Sequence, residues 1–320
     1  MEFSGVKNET VLGVRVGHLG ETSKRHAVIV LIGLLSTTLT VLAGERDTPY
    51  GKSEIHEPGD LTFSNLFSAG WNEPWMKRSR GDGTPDLSLL RAQTNFLVKA
   101  SRSDFAHQDN LSSASIRAAD ALTTTFEYTL NRRLMFALLG SYSWMDSRLL
   151  ADKEGATGGG FIRLQWVDTV CSSLSSTLKV VAPNHDLGEK DTALSFSVAG
   201  WFDLAPLGLK RTGLYYHVQE ETLAGPYKPD ARRNALSYAL SFAKTWSNPD
   251  SFFGNASTFI EAYGKTDLDG NDSGFTYITL TPGIRATFAH RHTFMAGVEF
   301  PISTPRPFEQ VVRISYICSF

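Results

Sequence analysis

The chain has 320 residues, 42% of them hydrophobic and 20% charged, with a formal net charge of −2. Such polarity excludes a bundle of transmembrane helices, and the near-neutral charge gives no basic field for nucleic acid. Two cysteines, Cys171 and Cys318, are too few for a disulfide scaffold and lack metal-ligand spacing.

The first element is an export signal. Lys24, Arg25 and His26 precede the apolar run from Ala27 to Leu35, and small residues follow. Val41 and Ala43 occupy the −3 and −1 positions of a cleavage site before Gly44. A buried core helix or an N-terminal anchor is the competing reading. Residues 44–86 form a separate arm, rich in Gly, Pro and charge yet carrying Leu61, Phe63, Leu66, Phe67, Trp71 and Trp75. That is too apolar for a free tail, so the arm is an inward plug, a cap or a partner-binding segment.

From 87 to 320 the pattern has a period of two. In Leu236–Trp246, large residues alternate with Ser, Ala and Thr. Between Val311 and Phe320, Val312, Ile314, Tyr316, Cys318 and Phe320 share one face. Alternation places successive side chains on opposite faces of a strand. About twelve strands are expected, near 90–99, 115–130, 133–147, 159–168, 173–182, 192–203, 208–219, 234–246, 255–265, 275–288, 292–300 and 309–320. Short and long connections alternate between them, apart from a moderate link at 247–254. The fold class is therefore all-β, a transmembrane antiparallel up-and-down barrel of about 12 strands, range 10–14, with short periplasmic turns and longer outside loops.

Aromatic positions fix the orientation. The last large residues on the apolar faces of the even-numbered strands are Tyr128, Trp166, Phe202, Trp246, Phe288 and Phe320. Every one is aromatic, as expected of a girdle at the periplasmic headgroup level. A soluble barrel would turn its apolar face inward and has no reason to ring one rim with aromatics.

The terminal strand, apolar at every second residue back from Phe320 to Val312, resembles the C-terminal signature of bacterial outer-membrane barrels. The resemblance implies outer-membrane lipid and the barrel-insertion machinery as partners. Pro58-Gly59-Asp60-Leu61-Thr62-Phe63, together with Gly297-Val298-Glu299-Phe300-Pro301, resembles outer-membrane transporters that include the meta-pathway phenol-degradation type. No residue roles transfer from it.

Chemistry is sparse. Barrel hydrolases use a His-x-Ser pairing, yet His217 is followed two residues on by Gln219, so no catalytic residue is assigned. Asp267-Leu268-Asp269-Gly270-Asn271-Asp272 departs from calcium-loop spacing and reads as a polar hairpin loop, so neither metal nor cofactor is expected. Gly158, Gly159 and Gly160 form no phosphate cradle and are expected to let an outside loop bend back into the fourth strand.

Turning the polar faces inward lines the lumen with Arg91, Lys99, Arg117, Arg133, Arg163, Lys179, Lys265, Arg285 and Arg313, against Glu127, Glu261 and Glu299. Gln93, Asn95, Gln165, His217, Gln219 and Tyr263 fill the remaining wall. Two readings stand. The lumen is an aqueous path for small solutes that favours anions, with Arg91, Arg163, Arg285, Arg313, Lys179, Glu261, Glu299 and His217 setting selectivity. Alternatively, the charges pair and fill a structural barrel. Arg-lined twelve-stranded barrels that take acidic sugars resemble the first case in composition.

Mature protein from the native envelope is expected to begin at Gly44 by N-terminal sequencing. A mature N-terminus at residue 1 would refute the signal.

Overall fold

The computed structural model describes residues 59–76, 86–109, 116–147, 152–187, 190–225, 233–247, 254–289, 291–304 and 306–320. The expected signal at 1–43 and the first part of the arm lie outside the described residues. Strands β1 (Ala100–Asp109), β2 (Ile116–Thr129), β3 (Leu134–Ser147), β4 (Lys153–Asp168), β5 (Ser172–Val181) and β6 (Thr192–Asp203) form one half. The other half is β7 (Thr212–Ala224), β8 (Asn234–Thr245), β9 (Ser257–Asp267), β10 (Thr276–Phe288), β11 (His292–Pro301) and β12 (Gln310–Ser319). Each strand pairs antiparallel with its sequence neighbours, and β1 pairs with β12 to close the barrel. Closure gives every strand two partners, which an apolar solvent demands of the backbone.

The alternation sorts the side chains. Leu138, Ile162, Leu178, Phe196, Leu240, Ile284 and Ile314 are all exposed on the outer face. So continuous an apolar surface suits lipid and not water. Arg163, Gln165, His217, Glu261 and Glu299 alternate with them and are buried inside. At β2, Phe126 and Tyr128 face out while Glu127 is buried between them.

Two expectations change. The stretch near 90–99 is not the first strand; residues 87–99 run inside the lumen without strand structure, and β1 is 100–109. That strand looks like a loop in sequence because Ser, Arg, Asp and His dominate it. Its polar groups are instead satisfied by neighbours: Ser103 Oγ lies 3.2 Å from Thr124 Oγ1, His107 Nδ1 2.6 Å from Asp120, and Arg102 Nε 2.7 Å from Asp104. Meanwhile the apolar members of 87–99 find a core. Leu87, Leu89, Ala92 and Phe96 pack with Trp201, Tyr215, Ala239, Ala243 and Phe259. Each large one gains about 1.5–3 kcal/mol from that burial.

Connections alternate in length less strictly than expected. Those at 130–133, 169–171 and 289–291 are tight, but β7 begins only at Thr212. A 3-10 turn over Ala205–Leu207 fills the gap and ends on Gly208, whose φ of 85° favours glycine. The tight turn at 130–133 is set by Asn131, whose Oδ1 accepts the N–H groups of Arg133 and Leu134. Gly158, Gly159 and Gly160 lie within β4 and not at its loop. A Cβ on Gly159 would meet Val180 O at 2.3 Å, so close strand approach accounts for that glycine.

Phe320 follows β12 on the outer face, and its N–H donates to Lys99 O across the closure at 3.1 Å. Deleting Phe320 removes one such bond, worth about 1 kcal/mol, so the folded barrel should survive. Insertion assays in cells are expected to show a much larger defect. A deletion that inserts as well as wild type would refute a role for this residue in assembly.

Candidate functional site

Segment 87–99 threads the lumen as an inner strap, and the wall holds it at almost every second residue. Arg102 Nη2 of β1 donates to Leu89 O at 2.9 Å. Glu261 of β9, fully buried, accepts the Arg91 N–H at 2.8 Å and the Ala92 N–H at 3.2 Å, one on each carboxylate oxygen. His217 Nδ1 of β7 accepts the Gln93 N–H at 3.2 Å, and Ser197 Oγ donates to Gln93 Oε1 at 2.5 Å. Arg163 of β4 donates to Phe96 O at 3.0 Å and to Thr177 Oγ1 at 3.1 Å. Thr129 Oγ1 donates to Val98 O at 2.6 Å, and Trp75 Nε1 to Leu97 O at 3.1 Å. An extended chain with no ladder still needs its backbone groups paired, and here barrel side chains supply the partners.

The centre is a charge cluster. Glu299 of β11 is fully buried and lies 3.3 Å from Arg91 Nε. It also receives Arg313 Nε and Nη2 at 2.6 Å and the Thr279 hydroxyl at 2.7 Å. The Arg91 guanidinium stands 3.5 Å over the Tyr263 ring. Two guanidinium groups therefore share one carboxylate, while the second carboxylate, Glu261, is held by backbone N–H groups.

The sequence-derived site is thus largely one place. Arg91, Arg163, Arg313, Glu261, Glu299 and His217 converge on the strap, with Arg91 on the strap itself and not on the wall. Lys179 faces inward on β5 opposite Phe161 and Ser195. Arg285 faces inward on β10, 8% exposed, with Nε and Nη1 buried and unpartnered. Arg133 leaves the lumen set: it sits in the turn after β2. There it donates to Ala69 O, Asn65 O and Oδ1, Gln165 O and Trp166 O at 2.8–3.1 Å. The side chain of Arg117 lies outside the described ones. Arg102, Asp104 and Glu221 were missed as lumen residues, the first two because β1 reads as a loop. Additional inward acids, and the sharing of Glu299, make the cationic surplus smaller than the sequence implies.

The six aromatics Tyr128, Trp166, Phe202, Trp246, Phe288 and Phe320 all lie on the outer side at the rim where the even-numbered strands end. Phe202 stacks on Tyr216, and Phe288 meets Phe294 edge-on. At the same rim the arm packs against the barrel. Leu61 and Asp168 exchange backbone hydrogen bonds, Phe63 packs on Trp166, and Arg132 pairs with Glu73. Gly70 has φ +85°, and a Cβ there would approach Arg133 Cγ and Leu61 Cδ2 to 3.0 Å. At the opposite rim, Asp269 takes the N–H groups of Arg233 and Asn234 at 2.6 and 2.8 Å and the Asn234 amide at 2.6 Å. The acidic loop at 267–272 therefore ties one hairpin to the next.

No family model and no curated protein matches the sequence. Among solved structures, an outer-membrane channel from Pseudomonas putida F1 aligns with a TM-score of 0.54 at 12% identity, over 70% of this chain and 97% of that one. The β-domain of the Bordetella autotransporter BrkA gives 0.46 at 14% identity, over 69% and 99%. The KdgM porin gives 0.42 at 9%, over 69% and 99%. The two lower scores support no inference. At 12% identity the first shares the fold, and the fold of this chain is that of an outer-membrane β-barrel.

Hydrogen bonds from Arg132 and the Gly70 N–H hold the Glu73 carboxyl below its usual 4.5. A depressed carboxylate stabilises the docked arm above about pH 4.5, and the contribution is lost as pH falls through the lower folded value. Limited proteolysis of 59–76 is expected to accelerate on acidification below that point, and Glu73→Gln should remove the pH dependence. A pH-independent wild-type rate would refute it.

Proposed function

We propose that the protein is an outer-membrane channel or facilitated transporter for small solutes, closed at rest by its own inner strap. The observation that carries this reading is the way the strap is held. Residues 87–98 make no strand pairing with the wall. Side chains from separate strands hold them instead, and the Glu261 clamp on Arg91 and Ala92 is at their centre. Segments held by a few polar contacts open more readily than a paired sheet. Buried polar atoms of Asn95, Gln165 and Ser175 have no protein partner, and such groups ask for water, consistent with a wet path beside the strap.

Residues 59–76 act as a periplasmic cap in this reading. Export through the N-terminal signal, the periplasmic aromatic girdle and insertion through Phe320 belong to the same proposal, as does the meta-pathway-type transporter resemblance. So does weak anion preference, now resting on Arg163, Lys179 and Arg285 because Glu299 neutralises much of Arg91 and Arg313. No catalytic step forms part of it, since His217 Nδ1 is occupied by the Gln93 N–H.

A permanently filled structural barrel is the second reading. The apolar cluster of Leu87, Leu89 and Phe96 favours it.

Single-channel recording in planar bilayers separates the two. Glu261→Ala removes two charge-assisted hydrogen bonds, about 3 kcal/mol, and so raises strap opening by roughly a hundredfold. Wild type is expected to conduct in rare or small events, and the variant in frequent, larger ones with a reversal potential that favours anions. Silence from both proteins, with insertion confirmed, would refute the channel. Cation preference would refute the selectivity.

A further inference from the structure

Arg285 differs from the other lumen arginines. Arg91, Arg163 and Arg313 are engaged by Glu299, by Phe96 O and Thr177, and by Glu299 respectively. Arg285 lies in register between Ser257 of β9 and Met295 of β11, neither of them charged. It is 8% exposed, and Nε and Nη1 have no hydrogen-bond partner. A guanidinium buried in this way is costly, and an apolar side chain would fill the same space at no such cost. Packing alone does not account for it.

Arg285 lines a cavity of about 270 Å³ between the strap and the rim where β12 ends. Phe96 and Ile317 form apolar walls of this cavity, and Asn255 lines it too, with Oδ1 also buried and unpartnered. It therefore holds an open donor, an open acceptor and apolar surface, at the small end of ligand-site sizes. Asp86, Glu127 and Asp168 also line it. Asp86 acts on Arg285 through space and has interactions of its own elsewhere. Lys99 and Arg132 line it as well, so the three acids match the three bases and leave no surplus of positive charge for a ligand with more than one negative charge.

We infer that this cavity is a docking subsite for a small organic monocarboxylate, its carboxylate on the Arg285 guanidinium and its apolar body against Phe96 and Ile317. A planar guanidinium is the side chain best matched to a carboxylate. The Asn255 acceptor adds a place for a ligand hydroxyl. The inference rests on the channel reading and gives its solute a chemical class.

Full-length barrel folded in detergent is titrated calorimetrically with benzoate, and with benzamide as the neutral isostere. One saturable site for benzoate is expected, with benzamide at least about tenfold weaker and Arg285→Gln reducing benzoate affinity by a similar factor. Lys265→Met removes a lumen charge beside Glu221, away from this cavity, and should keep wild-type affinity. If Arg285→Gln does not fold, Arg285→Lys keeps the charge without the fork and should still weaken binding. In the wild type, benzoate should also slow phenylglyoxal modification of Arg285. Absence of saturable binding by folded wild type, equal affinity for benzamide, or unchanged affinity in the Arg285 variants would overturn the subsite. Binding is read without a membrane, so a barrel that binds benzoate but passes no current overturns the channel and leaves the subsite. One that conducts but does not bind overturns the subsite alone.

Discussion

A strand in hydrocarbon cannot leave its backbone groups unpaired, and this constraint shapes everything else in the molecule. It forces closure of β1 onto β12. With lipid outside, the apolar half of each alternating strand must face out. The polar half is then committed to the interior, together with its charges. A twelve-stranded lumen is too wide for wall side chains alone to fill and narrow enough for one extended segment to enter. Residues 87–99 occupy that space.

The strap's chemistry follows from where it lies. It brings unpaired backbone N–H and C=O groups into a cavity already lined with buried Glu, Arg, His and Ser. Each side supplies what the other lacks: Glu261 accepts two backbone N–H groups, and Arg102 and Arg163 donate to backbone carbonyls. Glu299 is bound by two guanidinium groups and a hydroxyl. Removing one member would leave its partner charged and buried, so the cluster holds together as a unit. None of these contacts extends the sheet, so the strap is held apart from the barrel's own ladder.

At the rim, Arg133 does for the arm what Glu261 does for the strap. Its five donors gather carbonyls from the arm and from the end of β4, and Gly70 lets the arm approach that closely. An arginine read as a pore residue is in fact a clamp. Its position one residue before β3 places it in the turn, where the alternation of the strands no longer says which way a side chain points.

The sequence by itself determined the class, eleven of the twelve strands with their outward and inward faces (β2–β12), and the aromatic positions at one rim. Each of these follows from a local period of two and from which half of it lipid will accept. Much of the candidate site was legible for the same reason: Arg163, Glu261, Glu299, Arg313 and His217 alternate with apolar residues and could only face inward. Three things were decided by tertiary structure. Leu90 to Phe96 alternates as a strand does, but its apolar members are satisfied by Trp201, Tyr215 and Phe259 from distant strands, so it lies within the barrel. Ala100–Asp109 reads as a loop, and becomes β1 because Thr124, Asp120 and its own Asp104 absorb its polarity. Which lumen charges are neutralised, and that Arg285 is not hydrogen-bonded, depends on side chains tens to hundreds of residues apart in the chain. A periodic pattern specifies a face, and only the closed barrel specifies the neighbour across it.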